Sequence, residues 1–544
     1  MSRTALFRRF VRMVRIGNYC DRQILPVREG SGELGYLQSR GGLTRREFLA
    51  DAGKLTGAGF AATLLNPVSR AFAAPSRQQQ INIAIVGAGL AGLACAYELK
   101  RQGITAKLYD AASRVGGRCW SLRHFFPGQV AERGGEFIDT PHKTLLGYVK
   151  ELGLTLEDVD KQPGEVFYYF GGQRYFESAI IDEYRAFVPV MREDLRKLSN
   201  QPTAADHTID DLLLDSMSLG EYLDRRGAGE LLKAVIEQAY KAEYGLEIDQ
   251  QSCLNFLLFI HADRRSKFTP FGIFSDERYH VVEGNDRIAE GLSKRLPGQI
   301  EPDLRLVRVL KTVTGKIELS LTRGAATRTS SFDAVVLALP FTTLREVELH
   351  DSLGLPSWKI DAINLLGYGT NAKMMLGFNG RPWLALDGNG ESYSDLAHHQ
   401  LTWETNPTRA TANRGVITDY SSGARGAGLN PVNSQSEAAL FLSDLNLIFP
   451  GALTAATRDG SGNLRVHLEH WPSNPFARGS YTCYRPGQFT SIAGNESRPI
   501  GNLYFAGEHT NSFYEWQGFM EGAALSGLAA ARMILQDVKA SVLP

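Results

Sequence analysis

Ile81-Asn82-Ile83-Ala84-Ile85-Val86 runs directly into Gly87-Ala88-Gly89-Leu90-Ala91-Gly92, and this stretch decides the fold. The first half is short, apolar and rich in β-branched residues, the pattern of a strand buried on both faces of a parallel sheet. The second half fits G-x-G-x-x-G. Gly87 permits the tight turn, Gly89 lets a pyrophosphate approach the backbone, and Gly92 lets a helix pack closely on the strand. The pattern predicts a helix from about Leu90 to Arg101. Its free first amides, from Leu90 and Ala91 onward, and its positive dipole end would face the phosphates. Lys107-Leu108-Tyr109-Asp110 reads as the next strand, ending in a carboxylate suited to a ribose hydroxyl, with Ala111 following. Strand, turn, helix, strand and acid in register make a dinucleotide-binding unit.

The continuation Arg114-Val115-Gly116-Gly117-Arg118 lies outside the minimal dinucleotide fingerprint and separates FAD from NAD. Glycines such as Gly117 let the chain lie against a diphosphate. Arginine's planar fork can pair bidentately with phosphate oxygens, and Arg118 is the stronger candidate of the two arginines.

Further along, Glu132-Arg133-Gly134-Gly135-Glu136-Phe137, Val281-Val282-Glu283-Gly284 and Tyr504-Phe505-Ala506-Gly507-Glu508-His509-Thr510 join these motifs. Together they resemble the flavin amine oxidases, which include monoamine, polyamine and L-amino acid oxidases. The resemblance covers nearly the whole chain after its first 73 residues. It implies an α/β fold: a discontinuous Rossmann-like FAD-binding domain (residues 74–140, 281–340 and 495–544) with an inserted, partly helical α+β substrate-binding domain (141–280 and 341–494). It also implies cofactor contacts at Gly134, Gly135, Glu136, Phe137, Trp471, Gly507, Glu508, Gly518, Phe519 and Met520, and adenine contact through the backbone of Val309. Leu306–Leu310 and Ala334–Leu339 are strand-like runs that could extend the first sheet. Leu503–Ala506 would enter the Gly507 turn, with a small-residue helix from about Gly518 to Leu535 aiming its dipole at the flavin. Amphipathic stretches at Lys143–Leu152, Ile209–Tyr222 and Glu230–Tyr240 predict a mainly helical wall over the cofactor.

For the reacting side, Lys373 is a lone cation in the apolar run Asn371–Leu376, where burying a charge is costly. The resemblance gives that lysine the role of holding a water against the flavin N5. It makes Tyr481 one wall of an aromatic slot, with Phe519 opposite and Trp516 nearby. Flat π faces guide an amine by shape and by cation–π attraction. Ser480 stands where monoamine oxidases tether FAD through a cysteine, so FAD should be non-covalent; Cys483 is out of register. Some L-amino acid oxidases carry a carboxylate-gripping arginine after the paired glycines, whereas this chain has Glu136-Phe137-Ile138-Asp139. Glu136 and Asp139, beside Phe137, could instead attract a cationic amine or guanidinium.

The rest of the chain is consistent with an enzyme. Its 544 residues imply two domains or one large discontinuous enzyme, and 43% hydrophobic with 10% aromatic residues supplies cores. With 59 basic and 59 acidic residues, no net field steers it to nucleic acid or an anionic membrane. Its five cysteines form no disulfide framework or zinc spacing, so no metal is expected. Thr44-Arg45-Arg46-Glu47-Phe48-Leu49, the short apolar run Leu55–Leu65 and Ala71-Phe72-Ala73 read as a twin-arginine signal in residues 1–73. That reading predicts a folded cargo for the twin-arginine translocase and a periplasmic or secreted enzyme. The expected reaction is oxidative deamination of an amine. The imine hydrolyses, and oxygen or a quinone takes the electrons, oxygen yielding hydrogen peroxide. The alternatives are an L-amino acid oxidase or dehydrogenase for basic side chains and, more distantly, a desaturase-like flavoprotein. A homodimer is compatible with the sequence.

Overall fold

The computed structural model describes residues 81–159, 162–258, 277–408, 414–511 and 516–543. The twin-arginine reading and residues 1–73 fall outside them.

Ile83–Val86 forms the central strand of a five-stranded parallel sheet, flanked by Ala106–Tyr109 and Ala334–Leu337, with Ile300–Glu301 and Leu503–Phe505 at the edges. Strands from three distant segments therefore share one sheet. The reason is burial: all four side chains of Ile83–Val86 and of Ala334–Leu337 are buried, so both faces need covering. The helices Leu90–Arg101 and Met520–Lys539 pack against each other as part of that cover. They cross where a Cβ on Gly527 would stand 2.0 Å from the Ala91 carbonyl oxygen. Glu521, in the first turn of the second helix, accepts the amides of Thr144 and Leu145 at 2.8 Å each, tying in the helix Lys143–Leu152.

Two expectations are corrected. Leu306–Leu310 does not extend the first sheet: Arg305–Lys311 pairs antiparallel with Ile317–Arg323 in a separate four-stranded sheet. It forms a meander with Ile317–Arg323 and Ala326–Phe332 because short turns join these runs, and such connections favour antiparallel pairing. The wall over the nucleotide unit is helical where the amphipathic stretches lie, but it is not built of helices alone. It contains a seven-stranded sheet in the order 466–470, 372–378, 415–421, 401–404, 388–394, 165–170, 173–175. Its central strands 372–378, 415–421, 401–404 and 388–394 are buried on both sides, so they lack the alternation that marks a half-exposed strand. Helices do surround it, including Glu177–Lys197 and Glu230–Tyr244, but Ile209–Tyr222 is two helices, Ile209–Asp215 and Leu219–Arg225. Ser218 caps the second by accepting the Glu221 amide at 3.1 Å.

Candidate active site

The glycine turn is built as its spacing implies. Gly87 has φ +107°, and a Cβ there would meet the Ala338 oxygen at 2.4 Å. A Cβ on Gly92 would stand 1.9 Å from the Gly87 oxygen, so Gly92 serves helix–strand packing and does not line the cavity. Gly89 faces open space, and the helix that begins at Leu90 has no side-chain cap, which leaves its first amides for a ligand. The helix beginning at Met520 also lacks a side-chain cap, and Gly518, Phe519 and Met520 line the same cavity.

That cavity runs from Asp110, Ala111 and Ala112, past Gly89, Leu90, Ala91, Arg114, Gly117 and Arg118, to Lys373, Trp403, Tyr420, Tyr481 and Phe519. Asp110 accepts the amides of Ala88 at 2.6 Å and Ala112 at 2.8 Å, while burial raises its pKa. Its carboxylate thus braces the turn at the nucleotide end. Arg114 donates to the carbonyls of Val115 and Gly117 and lies 3.8 Å over the Trp120 ring, which also meets the Arg133 guanidinium at 3.0 Å. Arg118 is engaged by Glu508 at 3.0 Å and by the Ser480 carbonyl at 2.5 Å. The expected phosphate partner is therefore a bridge between the diphosphate loop and the C-terminal Gly507-Glu508 turn. Val309 is fully buried and outside the lining; Leu304, Arg305 and Leu306 stand at the cavity instead.

At the other end, strand register assembles the chemistry. Ala372, Met374, Leu376 and Phe378 pack in one core with Phe441, Leu442 and Leu445 of the helix Ser434–Ile448, so the alternating residue Lys373 points to the opposite face. Lys373 is directly paired with Tyr420 and Glu469, and Trp403 with Thr418, which puts Lys373, Tyr420 and Trp403 on that face. The Lys373 ammonium is buried. It donates to the Glu136 carboxylate at 2.6 Å, Gly134 O at 2.8 Å and Glu132 O at 3.2 Å, and lies 5.4 Å from the Trp403 ring. An ammonium has three protons, so none is left over for the expected water. The other Glu136 oxygen accepts the Trp403 indole N–H at 2.9 Å. Next to this pair, Glu132 accepts the Asn285 amide and the Ser121 hydroxyl at 2.8 Å each, and burial pushes its pKa up to about 7.

Tyr481 donates its hydroxyl proton to Ala242 O at 2.9 Å, which leaves it as the acceptor for the Tyr420 hydroxyl 2.8 Å away. Tyr481, Tyr420, Trp403, Phe137 and Phe519 make this end aromatic. Trp516 does not line it: its ring stands edge-on to His142 at 4.6 Å and to Phe519 at 5.6 Å. Asp139 is also withdrawn. It is fully buried outside the lining, accepts the Glu277 amide at 2.7 Å and lies 3.2 Å from His142 Nε2, so it offers no carboxylate to a substrate. Trp471 lines the cavity and is fixed by donating to Arg133 O at 2.9 Å. Ser480 Oγ donates to Asn371 at 2.6 Å. Sequence reasoning missed Trp403, Tyr420, Glu277 and Leu304–Leu306 at the cavity. Only the strand pairing of 415–421 with 372–378 on one side and 401–404 on the other could have revealed the first two.

The cavity suits an FAD. Two uncapped helix starts converge on it, Gly89 leaves room for a phosphate, and the acid and arginines lie at the nucleotide end. A dinucleotide seated on the glycine turn would extend along the cavity toward Lys373. The family model described as flavin containing amine oxidoreductase matches residues 90–535. The L-amino-acid oxidases of Pseudechis australis and Naja atra are each 23% identical, over 83% of this chain and 86% and 87% of theirs. Among solved structures, cyclohexylamine oxidase from Brevibacterium oxydans has a TM-score of 0.71 at 18% identity, over 85% of this chain and 100% of that one. A putrescine oxidase bound to putrescine has a TM-score of 0.70 at 18% identity, over 84% and 99%. Among the described residues, no helix is long and apolar enough to cross a membrane.

Proposed function

We propose, from the premise that this chain belongs to the flavin-containing amine oxidoreductase family, that it oxidises the carbon–nitrogen single bond of a small primary or secondary amine. One observation carries the choice of an amine over an amino acid. Among the described residues, Lys373 is the basic side chain at the aromatic end of the cavity, and its ammonium is already committed to Glu136 and two carbonyls. Among the described residues, nothing cationic there remains for a substrate carboxylate. FAD supplies the hydride acceptor. The chain supplies the rest: Tyr481 and Phe519 present faces between which a neutral amine can lie, Trp403 and Tyr420 narrow the approach, and the apolar surround keeps water from the reacting carbon. An imine product hydrolyses to an aldehyde or ketone plus ammonia or an amine, and oxygen or a quinone reoxidises the cofactor.

A second reading, oxidation of L-amino acids with basic side chains, is favoured by the relatives named L-amino-acid oxidases, which match most of the chain. Anaerobic bleaching of the bound flavin against matched amines and amino acids separates the two. Amines should bleach it and the corresponding acids should not; bleaching by acids alone would replace the first reading with the second.

The assignment of residues 74–140, 281–340 and 495–544 to the FAD-binding unit, and of 141–280 and 341–494 to the substrate unit, belongs to this proposal. It is supported by the shared parallel sheet. So does twin-arginine export to the periplasm or beyond, supported by Arg45-Arg46 before a short apolar run. Lysine at both positions should strand FAD-loaded enzyme in the cytoplasm, and unchanged export of that variant would overturn it.

A further inference from the structure

Lys373 lies at the end of the cavity where a substrate must meet the cofactor, and a buried ammonium there would ordinarily be the natural partner for any carboxylate that enters. Its surroundings prevent this. Glu136 approaches it at 2.6 Å, with both side chains almost fully buried. Glu136 cannot swing away, because its second oxygen is held by the Trp403 indole at 2.9 Å and its own carbonyl accepts the Asn285 side-chain amide at 2.6 Å. Trp403 is in turn packed against Phe137 at 5.7 Å and Tyr420 at 5.5 Å. Across the strands, Lys373 faces Glu469, but that carboxylate is taken by Arg133 at 2.5 Å.

We propose that Glu136, clamped by Trp403, is the specificity-determining residue that excludes carboxylate-bearing substrates, by cancelling the one positive charge that the described residues place at the aromatic end of the cavity. The device selects amines over α-amino acids by denying the substrate carboxylate a partner. This rests on the reading of the site as an amine-oxidising one.

The test reads binding as well as turnover, so it does not depend on finding a good amine. Benzoate is titrated into FAD-loaded enzyme and followed by the change in flavin absorbance. Glu136→Gln keeps the size and can still accept from Trp403, but leaves Lys373 with an uncancelled charge. Its dissociation constant for benzoate should fall by about ten-fold to a hundred-fold, the scale of one charge-assisted contact. Trp403→Phe releases the clamp on the second Glu136 oxygen while keeping the carboxylate, so it should raise benzoate affinity by less than Glu136→Gln does. An unchanged benzoate affinity in a folded, FAD-loaded Glu136→Gln protein overturns the proposal, as does a larger gain in Trp403→Phe than in Glu136→Gln. Should Glu136→Gln fail to load FAD, the wild type provides the second arm. Its kcat/KM for phenylalanine amide should exceed that for phenylalanine by at least about ten-fold, and equal values overturn the proposal. Failure to oxidise any amine while benzoate binding still responds to Glu136→Gln would sink the assigned reaction and leave the charge device standing.

Discussion

Lys373→Met should be far more damaging to stability than an exposed lysine substitution, and a second substitution should repair much of the damage. In the folded protein the ammonium and the Glu136 carboxylate are both buried at 2.6 Å separation. Removing the lysine leaves a buried carboxylate with the Trp403 indole as its remaining donor on the side chain. Breaking a buried pair by deleting one partner typically costs about 3–5 kcal/mol. The carbonyls of Glu132 and Gly134 lose a donor as well, at about 1 kcal/mol each. The sum, roughly 5–7 kcal/mol, is comparable to the whole stability of many domains, about 5–15 kcal/mol. Adding Glu136→Gln removes the stranded charge and should restore about 3 kcal/mol, leaving only the two carbonyls undersupplied. Urea unfolding followed by tryptophan and flavin fluorescence gives the order of midpoints: wild type above Lys373→Met/Glu136→Gln, and that double variant above Lys373→Met. A single variant as stable as the wild type, or a double variant no better than the single, would refute the buried ion pair as the basis of the site.

Three other outcomes are expected. Acid precipitation should leave the yellow cofactor in the supernatant, because Ser480 cannot form a thioether and its hydroxyl is bonded to Asn371; colour in the pellet would reveal a covalent link. Gly92→Ala places a methyl 1.9 Å from the Gly87 oxygen, so helix and turn must separate by more than an ångström, and the purified protein should carry little FAD; full loading would show that the turn tolerates the shift. Burial raises the Glu132 carboxyl from its ordinary range to about 7, so between pH 4.5 and about 7 the folded state binds more protons than the unfolded one and stability falls as pH rises. This contribution, on the order of 3 kcal/mol across the window, should be absent in Glu132→Gln, so the wild type should lose urea resistance relative to that variant on going from pH 5 to pH 7.5; a constant difference between the two would contradict it.

The amino-acid sequence by itself determined the nucleotide-binding half. Strand, glycine turn, helix and Asp110 are contiguous, and each obeys a local rule of backbone freedom or periodicity that leaves few alternatives. The helices at Leu90–Arg101 and Lys143–Leu152 were legible to the residue for the same reason. Lys373 could be singled out because a cation in an apolar run is anomalous wherever it folds. What it does was not legible. Its partner Glu136 is 237 positions away in the chain, and Trp403 is 267 from Glu136. Asp139 and Trp516 show the converse: as residue types they suit an amine site, but tertiary packing turns the first toward Glu277 and His142 and the second onto His142, away from the cavity. Val309 is buried outside the cavity lining, whereas Leu304, Arg305 and Leu306 of the same segment line it. Local propensity can place a side chain on an element. Which side chains meet across elements, and therefore which charges cancel, depends on strand register and on desolvation shared between distant segments, and only the assembled structure decides that.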